Sequence, residues 1–397
     1  MGKENMKKRT LLVLLIALAA SAMAFAGGDK EKNGKVDSYK LGFIGPLTGD
    51  NANYGILSNN SIKLAVDTFN KNGGINGTPV EIISEDSEGT VEKGLSAIEK
   101  LANSDNVLGL IGPIFTGTTF AVGDRCQNQG IPLITPSATH ADITNIGDMV
   151  FRTVVSDGLQ GDVAAHYFYE VLGYRNLAVL YAKNDYSQGL YKSMSAEFEK
   201  LGGKIVDTET CMVGDKDFKT QLTKIRQVGP EAIYIPNYTV EMAQMLEQAS
   251  QLGLTAPFLS CDGFSDPEIY KLAGQYTDGV VYVAPAKVEQ SPAHDNFIAA
   301  YKAAYGISPD SFATNAYDAT NIMLDALAIC VANGTVTRQA LRDQIAATKD
   351  YSGVSGTINF AENGDLIANQ GVYKVNGTTP EYVGAFQVKD GKLVKVN

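Results

Sequence analysis

Small hydroxyl residues, tyrosines and one acid stand at the ends of short apolar runs. Lys40–Ile44 runs into GPLTGDNANYG, with Thr48 and Tyr54. Val107–Ile111 runs into GPIFTGTT, with Thr116, Thr118 and Thr119, and Ile131–Thr135 runs into PSATH, with Ser137 and Thr139. In the second half, Leu177–Tyr181 leads to KNDYSQG with Tyr186, Ala232–Ile235 to PNYT with Tyr238, and Phe258–Ser260 to CDGFSD with Asp262. The first set supplies hydroxyls and free N–H groups at helix starts, which attract an anion such as a carboxylate. The second supplies aromatic rings and a carboxylate, which suit an ammonium on an apolar body. A ligand that bridges the two sets carries both charges, as an α-amino acid does. Each residue also has an ordinary use. The hydroxyls are good N-caps, any of nineteen tyrosines can pack at a cleft edge, and an Asp before Gly263 can close an Asx-turn. What sets them apart is their joint placement at six strand ends.

The elements that must position these residues alternate in type. Apolar runs that also include Val80–Ile83, Lys204–Val206 and Gly279–Val283 are separated by segments of helical period, such as Tyr54–Asn70 with Ile62, Ala65, Val66 and Phe69 on one face. Continuous apolar strands suit burial on both faces, and strand–helix alternation implies parallel sheets. The pattern occurs twice, before and after about Asp157, and predicts two open, doubly wound α/β lobes. Ligands of such sheets bind beyond the carboxyl ends of the strands. After Val283 the helical stretches His294–Tyr305, Ala313–Val331 and Thr337–Ala347 precede GTINF and GVYKV, so the chain is expected to cross back between lobes. The last residues read as a polar ribbon.

Composition narrows the function classes. The 397 residues are 44% hydrophobic and 19% charged, an ordinary globular balance with room for two domains. A net charge of −11 argues against a nucleic-acid partner, which needs clustered basic surface. His140, His166 and His294 are far apart and make no metal-ligand pair, so no metal or other cofactor is expected. The four cysteines, Cys126, Cys211, Cys261 and Cys330, show no close spacing, and their pairing is open. Dinucleotide, nucleophile-elbow, zinc-protease and P-loop strings are absent. An Asp/Ser/His hydrolase stays open by sequence order, but His140 is the one histidine near a strand-end loop, and no enzyme is expected.

The N-terminus has a basic segment with Lys3, Lys7, Lys8 and Arg9, an apolar run Leu11–Ala20, and Ala24-Phe25-Ala26 as a small-x-small site. This is the tripartite pattern of a cleaved secretory signal over residues 1–26. Leu11–Ala26 is shorter than the roughly 20 apolar residues a membrane span needs. The polar, Gly-rich GGDKEKNGKVDS that follows reads as a flexible leader.

Taken in order, GPLTGDNANYG, FNKNGGINGTPVEII, LIGPIFTGTT, IPLITPSAT, YAKNDYSQG and GDKDFKTQLTKI resemble the branched-chain amino-acid-binding proteins of ABC transporters, which are type I periplasmic binding proteins. The resemblance runs from about Tyr39 to the C-terminus. It implies two Rossmann-like lobes joined by three crossover segments, with residues 39–155 plus 287–357 in one lobe and 156–286 plus 358–397 in the other. It implies a periplasmic monomer that closes on an amino acid, aliphatic or branched-chain, and delivers it to an ABC permease in the inner membrane. Family members also bind amides, urea and aromatic acids, and a ligand-sensing module for a chemoreceptor is the other alternative.

Carried over by position, the resemblance gives Thr116 and Thr139 to the ligand carboxylate. The ammonium falls to the Ser137 carbonyl, the Thr139 hydroxyl and Asp262. Tyr54, Tyr186 and Tyr238 line the cleft, Ile114 and Phe115 the side-chain pocket, and Ala138 lies between the two contact residues. Thr116 stands where the family has serine, Asp262 where leucine binders have glutamate, and Phe115 where they have a smaller residue.

Overall fold

Strands in this protein are apolar at successive positions because both faces of each sheet are covered. The computed structural model describes residues 37–288 and 291–396; the expected signal over 1–26 lies outside the described residues. Strands β1 (Tyr39–Gly45), β2 (Val80–Asp86), β3 (Gly109–Ile111), β4 (Leu133–Thr135) and β5 (Val150–Arg152) form a parallel sheet in the order β2-β1-β3-β4-β5. Helices α1 (Ala52–Lys71), α2 (Val91–Asn103) and α3 (Thr116–Gln129) make the crossovers. Leu41, Phe43, Ile111 and Ile134 belong to one apolar cluster, whereas their neighbours Ile44, Leu110 and Leu133 belong to another with Ile98, Leu101 and Val122. Successive side chains thus enter opposite cores, as the pleat requires.

The second sheet repeats the plan. Its parallel part, β6 (Asn176–Ala182), β7 (Lys204–Cys211), β8 (Ala232–Tyr234), β9 (Phe258–Ser260) and β10 (Val281–Pro285), runs in the order β7-β6-β8-β9-β10. With it come α4 (Asp157–His166), α5 (Asp185–Lys200), α6 (Lys219–Val228), α7 (Thr239–Gln251) and the short α8 (Glu268–Leu272). Leu177, Val179 and Tyr234 pack on one face, and Ala178, Leu180 and Ile233 on the other. The strand order is the same in both sheets, so each has its switch point beside its first strand, where the crossovers turn to opposite faces.

The chain then returns to the first sheet. Of α9 (Pro292–Tyr305), α10 (Ser311–Ala332) and α11 (Arg338–Ala346), α10 lays Phe312, Ala316, Met323 and Leu327 on the core that holds Leu41 and Phe43. After the hairpin β11 (Tyr351–Gly353) and β12 (Gly356–Ile358), the strands β13 (Gln370–Asn376), β14 (Thr379–Lys389) and β15 (Lys392–Val396) extend the second sheet antiparallel to β10. The chain passes between the two sheets three times: after β5, between β10 and α9, and between β12 and β13.

The polar ribbon expected at the C-terminus is two paired strands. Phe386 packs edge-on against Tyr167, while the other face of β14 is wet. Asp390-Gly391, both at positive φ, make the two-residue turn that closes this hairpin. The four cysteines are buried free thiols. Burial pushes the Cys211 thiol up to about 12 and those of Cys126 and Cys261 higher.

Candidate ligand-binding site

The loops after β1 and β3 meet those after β6, β8 and β9 at the paired switch points. Eight of the ten sequence-predicted residues line one small cavity there: Tyr54, Ile114, Phe115, Thr116, Ser137, Tyr186, Tyr238 and Asp262. Gly263 and Phe312 complete its wall. Ala138 and Thr139 are buried at 1% exposure but are not on that wall. The enclosed space is ≈10 Å³, whereas a second cavity of ≈330 Å³ lies outward. Phe115 and Tyr238 line both cavities, with ring centroids 4.6 Å apart, and so stand between them.

On the first-sheet side, α3 begins at Thr116 and α1 at Ala52, neither with a side-chain cap. Elsewhere Thr90, Asn184, Ser291, Asp310 and Thr337 cap their helices. Thr116 is therefore not the N-cap that a bland reading allows; it occupies the first helical position, and the first-turn N–H groups have no side-chain acceptor. Thr119 turns its hydroxyl back to the Phe115 carbonyl at 2.9 Å. The Thr118 and Thr139 hydroxyls are buried without a partner. The loop holding Ser137 is tied down by Thr135, whose hydroxyl donates to the Pro113 carbonyl at 2.6 Å and accepts from the Ala138 N–H at 3.0 Å. Arg152 donates to the carbonyls of Thr139 (3.0 Å) and His140 (2.8 Å), and its Nε pairs with Asp365 from the third crossover.

On the second-sheet side the polar groups that line the cavity bond one another. Asp262 is 1% exposed and accepts at Oδ1 from the Tyr186 hydroxyl (2.7 Å) and from Gln160 Nε2 (3.1 Å). Its N–H donates to Gln160 Oε1 at 2.8 Å, and the Gly263 N–H donates to the Tyr186 hydroxyl at 3.0 Å. Burial pushes the Asp262 carboxyl above its ordinary range, against the pull of those two hydrogen bonds. Asp262 also opens a single turn of 3₁₀ helix over residues 262–265, so its turn role is real but leaves the carboxylate on the cavity. Tyr186 and Tyr238 stack at 5.0 Å. Tyr54 reaches across from α1, its hydroxyl 2.8 Å from that of Thr239 and 3.0 Å from the Gly263 carbonyl. Asn53 donates to Asp266 at 2.6 Å over the same gap.

Chemically, this is a closed pocket with rings around its middle, a helix start and hydroxyls at one side and a carboxylate at the other. Sequence reasoning missed Phe312, because it arrives on a helix from the C-terminal third. It also missed Asp157 and Gln160 at the start of α4. Their signal was the short strand VFR before SDGLQG, too brief to stand out. Thr48 instead ties its own loop, donating to Asp86 at 2.6 Å. The His140 ring accepts from the Asp142 N–H at 3.1 Å and does not line the cavity. Among the described residues, no group of three or more His, Cys, Asp or Glu could hold a metal ion.

Known proteins share this design. A family model described as periplasmic binding protein matches residues 38–379. A leucine-, isoleucine-, valine-, threonine- and alanine-binding protein of Pseudomonas aeruginosa is 31% identical over 348 residues, covering 87% of this chain and 91% of its own. The structure of a branched-chain amino-acid transporter substrate-binding protein from Streptococcus pneumoniae, in complex with isoleucine, superposes with a TM-score of 0.81 at 29% identity, covering 90% of this chain and 100% of that one. A leucine-binding protein from Thermotoga maritima gives 0.80 at 28% identity, covering 87% and 98%. With two matched α/β sheets, three passes between them and a closed pocket where they meet, the chain belongs to the periplasmic binding protein family and has its type I fold.

Proposed function

We propose that this chain is an extracytoplasmic solute-binding protein that captures an aliphatic, branched-chain amino acid between its lobes and delivers it to an ABC permease. The observation that carries the reading is the opposition, across one cavity, of the uncapped start of α3 and the buried carboxylate of Asp262. A carboxylate at the helix start gains from the dipole and the free N–H groups. An ammonium at Asp262 pairs a charge that is costly to bury alone. Ile114, Phe115, Phe312 and the stacked tyrosines line the middle with apolar surface, which has to part to admit a side chain. The lobes are residues 39–155 plus 287–357 and 156–286 plus 358–397; the membership of the two large sheets supports the division except at its last boundary, where Ile358, Phe360 and Leu366 still pack on the first-sheet core. The ligand's contacts to both lobes favour the closed state, and closure is what a permease would read.

The basic start, apolar run and Ala24-Phe25-Ala26 support export with cleavage after residue 26, leaving a periplasmic monomer with a net charge of −14. No turnover of the ligand is expected. The test is a thermal-shift panel of the mature chain with leucine, isoleucine, valine, alanine, phenylalanine, short amides and benzoate. Any binder raises the melting temperature by mass action. Shifts with the aliphatic amino acids support the reading; shifts with amides or benzoate alone replace it.

A further inference from the structure

The start of α1 and the loop after β9 are joined by hydrogen bonds that involve no ligand group. Asp266, 1% exposed at the end of that loop, accepts at Oδ1 from Asn53 Nδ2 (2.6 Å) and from the Glu268 N–H (3.0 Å), and at Oδ2 from the Thr239 hydroxyl (2.7 Å). Thr239, the first residue of α7, also meets the Tyr54 hydroxyl at 2.8 Å, and that hydroxyl reaches the Gly263 carbonyl at 3.0 Å. Asn53 and Tyr54 come from a helix of the first sheet, and Thr239, Gly263, Asp266 and Glu268 from the connections of the second. Each half is packed closely on its own neighbours. A Cβ at Gly55 would lie 2.0 Å from the Pro46 carbonyl oxygen, and one at Gly263 would lie 2.6 Å from that of Asn237. The start of α1 is thus pressed onto the loop after β1, and the loop after β9 onto the loop after β8.

We propose that Asn53 and Asp266 form a latch between the two halves of the cavity, one that positions Tyr54 and Asp262 for the amino acid without touching it. This inference rests on the amino-acid reading and adds a positioning pair to it. Neither latch residue lines the cavity, but each sits beside one that does: Tyr54 follows Asn53 on α1, and Asp262 precedes Asp266 by four residues on one loop. Asp266 keeps Thr239 and Glu268 whether the halves meet or part, so its carboxylate waits in place. Only the Asn53 bond and the two Tyr54 contacts depend on the meeting. A hydrogen bond to a carboxylate is stronger than one between neutral groups, and stronger again out of water. When the halves separate, water takes the place of a single amide N–H, which keeps the latch reversible. Apparent affinity scales with the fraction of the chain in its binding-competent state, so a latch that raises this fraction tightens binding with no new ligand contact.

The experiment is calorimetric and stopped-flow titration of the mature chain and of Asn53→Ala with L-leucine, read with small-angle X-ray scattering of both, unliganded and saturated. Asn53→Ala is expected to bind about tenfold more weakly, through faster dissociation at an unchanged association rate. Its unliganded radius of gyration is expected to exceed that of the wild type, while at saturating leucine the two agree. Damage to the fold or to the ligand contacts would not produce that pair of results. In an Asp266→Ala background, Asn53→Ala is expected to add nothing further. Wild-type affinity in Asn53→Ala overturns the proposal, as does a loss confined to association or one that persists undiminished without Asp266. Should Asp266→Ala not fold, Asn53→Ala alone decides. Wild type that binds none of the α-amino acids overturns the proposed function itself; the latch is then judged on the unliganded scattering, where equal radii overturn it.

Discussion

The two walls of the cavity differ in how much of their hydrogen-bonding capacity they spend on themselves. On the first-sheet side α3 starts without a cap, and behind the wall the hydroxyls of Thr118 and Thr139 are buried without partners. On the second-sheet side Tyr186, Gln160 and Asp262 satisfy one another, and Thr239 donates to Asp266 at 2.7 Å. One wall is a set of waiting donors, the other a braced acid. Neutral donors can wait, because water satisfies them at little cost when the lobes part. A carboxylate in a poorly hydrated place must be held in position before its partner comes. A zwitterion supplies what each wall lacks, so its binding energy is available only when both walls are in reach, and that differential favours closure.

If the braced acid is the dominant wall, Asp262→Asn should weaken amino-acid binding at least about a hundredfold, or about 2.7 kcal/mol. Calorimetric titration checks this, and a variant binding like the wild type would break the contrast. Tyr186→Phe removes the brace and not the acid. It leaves the Gly263 N–H without its acceptor and Asp262 without its 2.7 Å donor, and should weaken binding about tenfold through a misplaced carboxylate. The waiting wall should be more forgiving. Thr116→Val keeps the helix start and deletes one hydroxyl, for a loss of about fivefold, measured in the same titration. A larger loss at Thr116 than at Tyr186 would invert the comparison.

Much of this contrast was legible in the sequence. Strand-end loops are marked by Gly, Pro and a change of composition, so Thr116, Ser137, Tyr186, Tyr238 and Asp262 could be found from order alone. Asp157 and Gln160 were not legible, because β5 is only three residues long and α4 follows it at once. Phe312 escaped for another reason: it is adjacent to the site only through a pass between sheets, which local patterning does not encode. The C-terminal strands were misjudged because their solvent face is polar, and alternation in an edge hairpin looks like a ribbon until its partner is known.

Acidity gives a smaller effect that bears on the same contrast. Asp157 and Asp262 have carboxyls raised by burial, and Asp310, the N-cap of α10 with an unpartnered Oδ2, is raised to about 7. A raised carboxyl holds its proton in the folded chain after the unfolded chain has lost it. Its cost therefore sets in above the unfolded value of about 4 and grows until the folded group ionises. The unliganded protein should melt at a higher temperature near pH 5 than near pH 8. Asp310→Asn keeps the cap and should flatten that slope, adding about 1 kcal/mol at the alkaline end. Scanning calorimetry across that range checks the sign; a slope that rises with pH would contradict it.

The central claim, that a zwitterion spans two unlike walls, is tested most directly by a crystal structure of the mature chain with L-leucine. The account predicts the ligand carboxylate at the start of α3 beside Thr116 and the ammonium within hydrogen-bond distance of Asp262. A ligand bound with its ends exchanged, or with Asp262 facing no part of it, would contradict the account.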